Sequence, residues 1–164
     1  PYALPPEGKG ADYVAYPTVD PGKFMLDLTR CIEAKTPVLA HANGDAAIQL
    51  LIDSVGSAIG DAKVDHRTVI IHGQLMTELQ LDQATGLGIV PSFYAVHPYF
   101  WGDWHRVIFG DERASRISPA KSAIARGIAF TVHNDAPVVP PMAMRLLSIA
   151  VNRTTRSGHV LGPE

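Results

Sequence analysis

The sequence contains a single cysteine, Cys31, and this scarcity excludes an internal disulfide. Cys31 lies within a helical pattern of apolar residues, where a lone cysteine usually packs in the core. One cysteine fits a reducing compartment, so we expect a cytoplasmic protein, with export of a longer parent protein left open. No apolar run is long enough to cross a bilayer. No run of basic residues occurs and the formal net charge is −2, which argues against a nucleic-acid partner.

Two common catalytic signatures are also absent. The chain has no glycine-rich phosphate-binding loop, because the sequence TGLG at 85–88 stands at the end of a helical pattern and indicates a helix stop. It has no Gly-x-Ser-x-Gly motif either, which argues against a serine hydrolase of the α/β-hydrolase kind.

Short apolar segments alternate with amphipathic helical patterns along most of the chain. Residues 1–20 are expected to form an irregular loop, and Asp20 followed by Pro21 predicts a helix start. Asp45 is expected to cap the second helix, and Ser118 with Pro119 to cap the helix that ends at 127. A long aromatic-rich excursion is expected at 94–118, and a last helix at 141–151. The predicted strands are 36–41, 67–72, 88–93 and 128–132.

This alternation predicts an α/β fold with a parallel sheet and crossover helices. Two architectures fit: an open doubly wound sheet, or part of a (β/α)₈ barrel. Four strand–helix units correspond to half of a barrel, which needs about 250 residues. The chain begins with proline and stops in mid-motif, so we expect a fragment of a longer protein. Residues 1–164 are then one piece of a barrel domain, with a helix and four βα units in 21–164.

Histidines stand at the ends of three predicted strands. His41 ends the first strand, His72 ends the second, and the fourth runs into His133 and Asp135. Because the carboxyl ends of parallel strands form the active face of such folds, we expect these side chains around one mouth. Histidine and carboxylate suit zinc or another divalent transition metal. Structural, hydrogen-bonded histidines are the alternative, and spacing alone does not decide between them.

Several motifs resemble amidohydrolase family 3, more narrowly its N-substituted formamide deformylases and exoenzyme regulatory proteins. In chain order the motifs are HANGDAA, IIHGQ, HPYFWGDWH, GDERASRISPAKSA, FTVHNDAPVVPP and AVNRTTRSGHVLG. The resemblance implies a metal-dependent (β/α)₈ barrel with a small β-sandwich, of which this chain covers strands five to eight.

The resemblance also implies roles for individual residues. His41 and His72 correspond to the metal-ligand histidines of strands five and six, and Asp135 to the strand-eight aspartate that touches the metal and acts as general base. The implied cofactor is a divalent metal, zinc first among them, with one or two ions in the whole protein. The implied reaction is hydrolysis of an amide, a formamide or a related C–N bond by metal-activated water.

The aromatic loop after strand seven supplies further candidates. His97, Trp101 and His105 match the aromatic loop of the family, and we interpret them as candidate substrate-binding residues, with packing within the loop as the alternative.

Residues beside the expected ligands have supporting interpretations. Asn43 and Asp45 could orient His41, with helix capping favoured for Asp45, whereas His133 and Asn134 are expected to shape the turn at Asp135.

The ligands of the family's first barrel half are missing from this chain. The strand-one His-x-His pair does not occur, and neither does the strand-four lysine, so the fragment alone is expected to be inactive. Half a barrel leaves open strand edges, which predicts a homo-oligomer or pairing with the missing half. A non-catalytic, regulatory role for the same fold is the competing hypothesis.

Overall fold

A parallel sheet forms the centre of the chain. The computed structural model describes residues 1–162 and 164. Its sheet has four strands in the order β1-β2-β3-β4, and every neighbouring pair is parallel. The strands are β1 Leu39–Ala42, β2 Val69–His72, β3 Val90–Phe93 and β4 Thr131–Val132.

The strand order decides between the two architectures that the sequence left open. A doubly wound sheet reverses direction part-way, so that later strands lie on the other side of the first. Here each new strand is added on the same side of the sheet, without reversal. Successive addition of parallel strands is how a (β/α)₈ barrel is built, and the four strands form half of such a barrel.

Helices connect the strands and cover the outer face of the sheet. Residues 1–20 contain turns and bends without a helix or strand. The helices among the described residues are α1 Pro21–Glu33, α2 Asp45–Ile59, α3 Glu78–Leu87, α4 His97–Phe109, α5 Asp111–Ser115, α6 Ala120–Ala125 and α7 Ala143–Asn152. None of these helices is long and apolar enough to cross a membrane.

Local sequence signals explain several helix ends. The Asp20 side chain accepts a hydrogen bond from the Lys23 amide at 2.7 Å, and Pro21 occupies the first turn of α1, as predicted. Gly88 ends α3 in the left-handed conformation at φ 75°, which confirms the helix stop expected at 85–88.

Two predicted caps are wrong. Gly44, not Asp45, is the residue before α2, and Asp45 is the first helical residue, where its Oδ1 accepts from the amide of Ala46. Ser118 does not cap α6, because its hydroxyl donates to the carbonyl of Tyr94 and faces the strand ends instead.

The excursion expected at 94–118 is mostly helical. Helices α4 and α5 occupy it, although the sequence pattern did not indicate a helix there. The buried positions of α4 include His97, Gly102 and His105, beside Pro98 and Ile108. Histidine and glycine do not register as apolar, so the helical periodicity was hidden.

The main core lies between the sheet and the outer helices. Ile48, Leu51 and Val55 of α2 pack there with Ile70 of β2 and Phe93 of β3, all at most 1 % exposed. A second cluster, centred on Tyr94 and Val96, joins the start of α4 to Leu146 and Ile149 of α7. The second cluster packs α4 beside the carboxyl end of β3.

Helix α4 approaches the turn at 155–161 at Gly102. A Cβ at Gly102 would lie 2.7 Å from Cγ2 of Thr155 and 2.8 Å from Cδ1 of Leu161. Next to it, Asp103 accepts hydrogen bonds from the Thr155 hydroxyl at 2.6 Å and the Ser157 amide at 3.1 Å. The contact therefore requires a residue without a side chain at 102.

Gly102→Ala is expected to destabilise the protein by about 1–3 kcal/mol, because the added methyl overpacks a closed contact. Urea unfolding measures the change. Gly86→Ala is the matched control, since Gly86 also lies in a helix but has nothing within 4 Å of the added Cβ. The control is expected to gain up to about 1 kcal/mol from helix propensity. Equal effects of the two substitutions would contradict the packing argument.

The edge strand β1 carries an apolar residue that is exposed to solvent. Leu39 is 67 % exposed, and β1 pairs on one side only, with β2, among the described residues. Expressed alone, the 164-residue chain is expected to associate through such edges. Light scattering after size exclusion measures the mass, and a stable monomer at all concentrations would contradict this expectation.

Candidate metal centre

The parallel register brings the carboxyl ends of all four strands to one edge of the sheet. Ala42 pairs with His72, His72 with Phe93, and Phe93 with Val132. The residue that follows each strand therefore lies at the same edge, which places His133 beside His72.

The backbone of His72 departs from ordinary strand geometry. Its register partners Ala42 and Phe93 belong to the core beneath the outer helices, and regular alternation would send His72 there too. His72 instead adopts φ 77°, a left-handed conformation that is uncommon outside glycine. This turns the imidazole away from the core and towards the mouth, where it meets other polar rings.

Three potential ligands converge at this edge. His72, His133 and Asp135 each offer a ligand atom, and these atoms all lie within 4.8 Å of one another. Among the described residues, no other group of three or more histidine, cysteine or acidic side chains has its ligand atoms close enough to share a metal ion. Asp135 also has a left-handed backbone, at φ 54°. Two strained residues in one cluster are typical of a functional site.

The donor geometry fits a metal ion. His133 Nε2 lies 3.3 Å from His72 Nδ1. Two nitrogens bound to one tetrahedral zinc, each at about 2.0–2.1 Å, would be separated by about 3.3–3.4 Å. Two histidines and a carboxylate are also the donor types that zinc and similar divalent metals take.

The protonation states of the histidines fit the same conclusion. Burial, reinforced by the neighbouring His41 ring, lowers the pKa of His72 to about 4, although Asp135 acts in the opposite sense. Burial also lowers the pKa of His133, again opposed by Asp135. Both imidazoles are therefore neutral at pH 7 and keep the lone pair that a metal needs.

A hydroxyl pair orients the ring of His133. Ser92 Oγ lies 3.0 Å from His133 Nδ1 and accepts a hydrogen bond from the Thr131 hydroxyl at 2.8 Å. When Nδ1 carries the proton and donates it to Ser92, the Nε2 lone pair faces His72. Such hydrogen bonds from behind are what fix the ring of a metal-binding histidine.

His41 lies beside the cluster but outside the group of three. Its ring centroid is 4.5 Å from that of His72, in an edge-on arrangement, and the residue is exposed. The structure thus brings His72 and Asp135, two of the three ligands predicted from the sequence, into one group, with His133 as its third member in place of His41.

The candidate substrate-binding residues occupy α4 and reach the cluster through Tyr94. His97 and Trp101 have ring centroids 4.5 and 5.7 Å from that of Tyr94. His105 lies one layer further away, 5.9 Å from His97. Burial, reinforced by the His105 ring, holds the pKa of His97 well below its usual range, and burial lowers that of His105 to about 4.

Polar partners satisfy the two buried histidines of α4. The Gln74 amide nitrogen lies 3.0 Å from His105 Nε2, and Ser118 Oγ lies 3.3 Å from His97 Nδ1. The Ser118 amide also donates to the carbonyl of Gln74 at 2.9 Å. Ser118 therefore connects the chain after β2 with α4.

The residues that follow His41 do not orient it. Asp45 forms an ion pair with Arg113 at 3.1 Å, away from the ring. The side-chain oxygen of Asn43 is buried and has no hydrogen-bond partner among the described residues. No contact among the described residues therefore supports a role for Asn43 or Asp45 in orienting His41.

A buried arginine holds Ser118 in place. The Arg153 guanidinium, 3 % exposed, donates to the carbonyls of Ser115, Ile117 and Leu161 at 2.9–3.1 Å. Burial lowers the pKa of Arg153 to about 10, and the charge of Glu164 opposes that shift. The cation thus clamps the segment that precedes Ser118 to the chain after α7.

Arg153→Met is expected to destabilise the protein by about 3 kcal/mol or more, because buried carbonyls lose charged donors. Chemical denaturation measures the loss. Arg156→Met is the matched control on the same turn, since Arg156 is exposed, and a change within about 0.5 kcal/mol is expected there. A loss at Arg153 no larger than the control's would show that the clamp is dispensable.

Comparison with known protein families assigns the chain to one of them. The sequence profile described as "Amidohydrolase family" (Amidohydro_3) matches residues 7–164. The chain belongs to the amidohydrolase family. No curated protein matches it.

Two solved structures resemble this amidohydrolase chain. One is an uncharacterized metal-dependent hydrolase from Pyrococcus furiosus, at 21% identity and a TM-score of 0.72, covering 91% of this chain and 29% of that one. The other is an uncharacterized metal-dependent hydrolase from Pyrococcus horikoshii OT3, at 20% identity and a TM-score of 0.72, covering 88% and 28%. This chain thus spans less than a third of each. At this low identity, the structural likeness shows a shared fold and nothing more specific.

Sequence reasoning placed His133 at the mouth but did not count it among the ligands, interpreted Ser118 as a helix cap and gave Tyr94 no role. The signal for His133 was present, because it follows the last predicted strand directly, as Tyr94 follows Phe93 of β3. Ser118 carried no such signal, since its role depends on the tertiary contact with α4.

Proposed function

We propose that this chain supplies part of the active site of a metal-dependent amidohydrolase that cleaves an amide, a formamide or a related C–N bond. The supporting observation is the convergence of ligand atoms from His72, His133 and Asp135 within 4.8 Å at the carboxyl edge of the sheet. Family membership over residues 7–164 agrees with it.

His72, His133 and Asp135 would hold the metal, with His41 adjacent as a further ligand. Zinc is the proposed ion because the donors are imidazole nitrogen and carboxylate oxygen. Ligands from the first barrel half would complete the site, and the number of ions, one or two, depends on them.

A divalent metal held there supplies Lewis acidity, which lowers the pKa of water towards about 7 and polarises a carbonyl. Asp135 is the proposed general base. Its carboxylate takes a proton from the attacking water as the new C–O bond forms, and delivers it to the amine nitrogen as the C–N bond breaks. The left-handed backbone at φ 54° holds this carboxylate beside His133.

The proposed substrate is a small molecule that enters over the aromatic side of α4. His97 and Trp101 lie against Tyr94, whose ring contacts the metal-site histidines. These neutral, mostly apolar rings suit an uncharged amide group. We also propose that the protein acts in the cytoplasm, without a nucleic-acid or membrane partner. The open sheet edges would pair with the first barrel half or with a second copy of the chain.

Asp135→Asn in the complete protein that carries this segment is expected to lower kcat by about 10²–10⁴-fold, because the amide cannot accept the proton. Turnover of formanilide, followed as aniline release, and bound metal by elemental analysis are the measurements. Chelation is expected to abolish wild-type turnover and added zinc to restore it.

Asp61→Asn provides the control, since Asp61 is exposed in the turn after α2, away from the strand ends. Unchanged turnover in Asp135→Asn at full metal content would refute the general-base assignment. A wild-type protein that binds metal and shows no hydrolysis of any amide would instead favour the regulatory alternative.

A further inference from the structure

The hydroxyl of Tyr94 is buried and unsatisfied. Tyr94 is 3 % exposed, and its phenolic oxygen has no hydrogen-bond partner among the described residues. A buried tyrosine hydroxyl usually finds a partner. Phenylalanine would fill the same space without this cost, so packing alone does not account for the hydroxyl.

The ring of Tyr94 forms a wall of the candidate metal centre. It stacks on His133, with centroids 5.5 Å apart and planes 21° apart, and meets His72 edge-on at 5.6 Å. The negative charge of Asp135 also acts on the hydroxyl, yet Asp135 accepts no hydrogen bond from it. The phenol is therefore adjacent to two proposed ligands without being engaged by them.

Hydrogen bonds and strand pairing fix the main chain at Tyr94. Its carbonyl accepts hydrogen bonds from the Ser118 hydroxyl at 3.2 Å and from the His97 amide at 3.2 Å. The residue also follows directly on β3, which pairs on both sides. With the main chain fixed and the ring packed between His97 and His133, the hydroxyl is a donor that is oriented before any ligand arrives.

We propose that the Tyr94 hydroxyl donates a hydrogen bond to the carbonyl oxygen of the substrate and strengthens it as negative charge develops on that oxygen. This rests on the proposed amide hydrolysis. A donor that is already oriented in a dry site stabilises a developing oxyanion without reorganisation. The bound substrate supplies the acceptor that the protein does not.

Tyr94→Phe in the complete, zinc-loaded protein tests the proposal, with Tyr99→Phe as the matched control. Tyr99 lies on the same α4 but packs against Phe100 and Arg145, away from the cluster. Three quantities are measured: zinc content, kcat for formanilide, and the Kd of acetohydroxamate, a small carbonyl chelator.

The expected result for Tyr94→Phe is a kcat lower by about 10- to 1,000-fold and an acetohydroxamate Kd higher by about tenfold, at unchanged zinc content. Tyr99→Phe is expected to match the wild type in all three. Replacement of Tyr94 by 4-aminophenylalanine, which keeps a donor at the same ring position, is expected to recover part of the turnover.

Two results overturn the proposal in a protein whose wild type is active. One is a kcat for Tyr94→Phe within twofold of the wild type. The other is a loss of kcat that follows a proportional loss of zinc, which would make Tyr94 a packing residue of the metal centre. A wild-type protein without zinc-dependent turnover is a different outcome, because it would refute the proposed function itself and, with it, the role of Tyr94.

Discussion

The parallel register of the four strands is the constraint on which the site depends. Because all strands run the same way, their last residues meet at one edge, and residues far apart in the chain become neighbours there. Register alone would still bury His72 among core residues. The left-handed turn at φ 77° releases the ring to the mouth, at the cost of local strain that the surrounding sheet must hold.

Three buried or half-buried imidazoles lie around this mouth, those of His72, His97 and His133. Burial removes their hydration, which disfavours the charged form and lowers their pKa values, and neighbouring histidines add to the effect at His72 and His97. Such a cluster adds little to the free energy of folding, since apolar residues would fill the same space without the cost of desolvating polar groups. Its retention is understandable where lone pairs are needed, and metal binding needs them.

The sequence was informative where chemistry follows local pattern. Strand-end positions predicted that His41, His72 and Asp135 lie at one edge, and the alternation of strands and helices predicted the parallel sheet. Helix α4 was not predicted because its buried face uses histidine and glycine in place of aliphatic residues. Likewise, the length of β4, two residues instead of the expected five at 128–132, depends on tertiary pairing that no local pattern records.

Helix α4 joins two regions that would otherwise be independent. One part of its surface carries His97 and Trp101 towards the strand ends, while Gly102 and Asp103 seat it on the turn at 155–161. A rigid helix transmits any change in its seat to its other end. The turn and the helix therefore behave as a single unit. In a chimera between family members, exchanging α4 without its matching turn would misplace His97 and Trp101. Exchanging both together would keep these two rings in position.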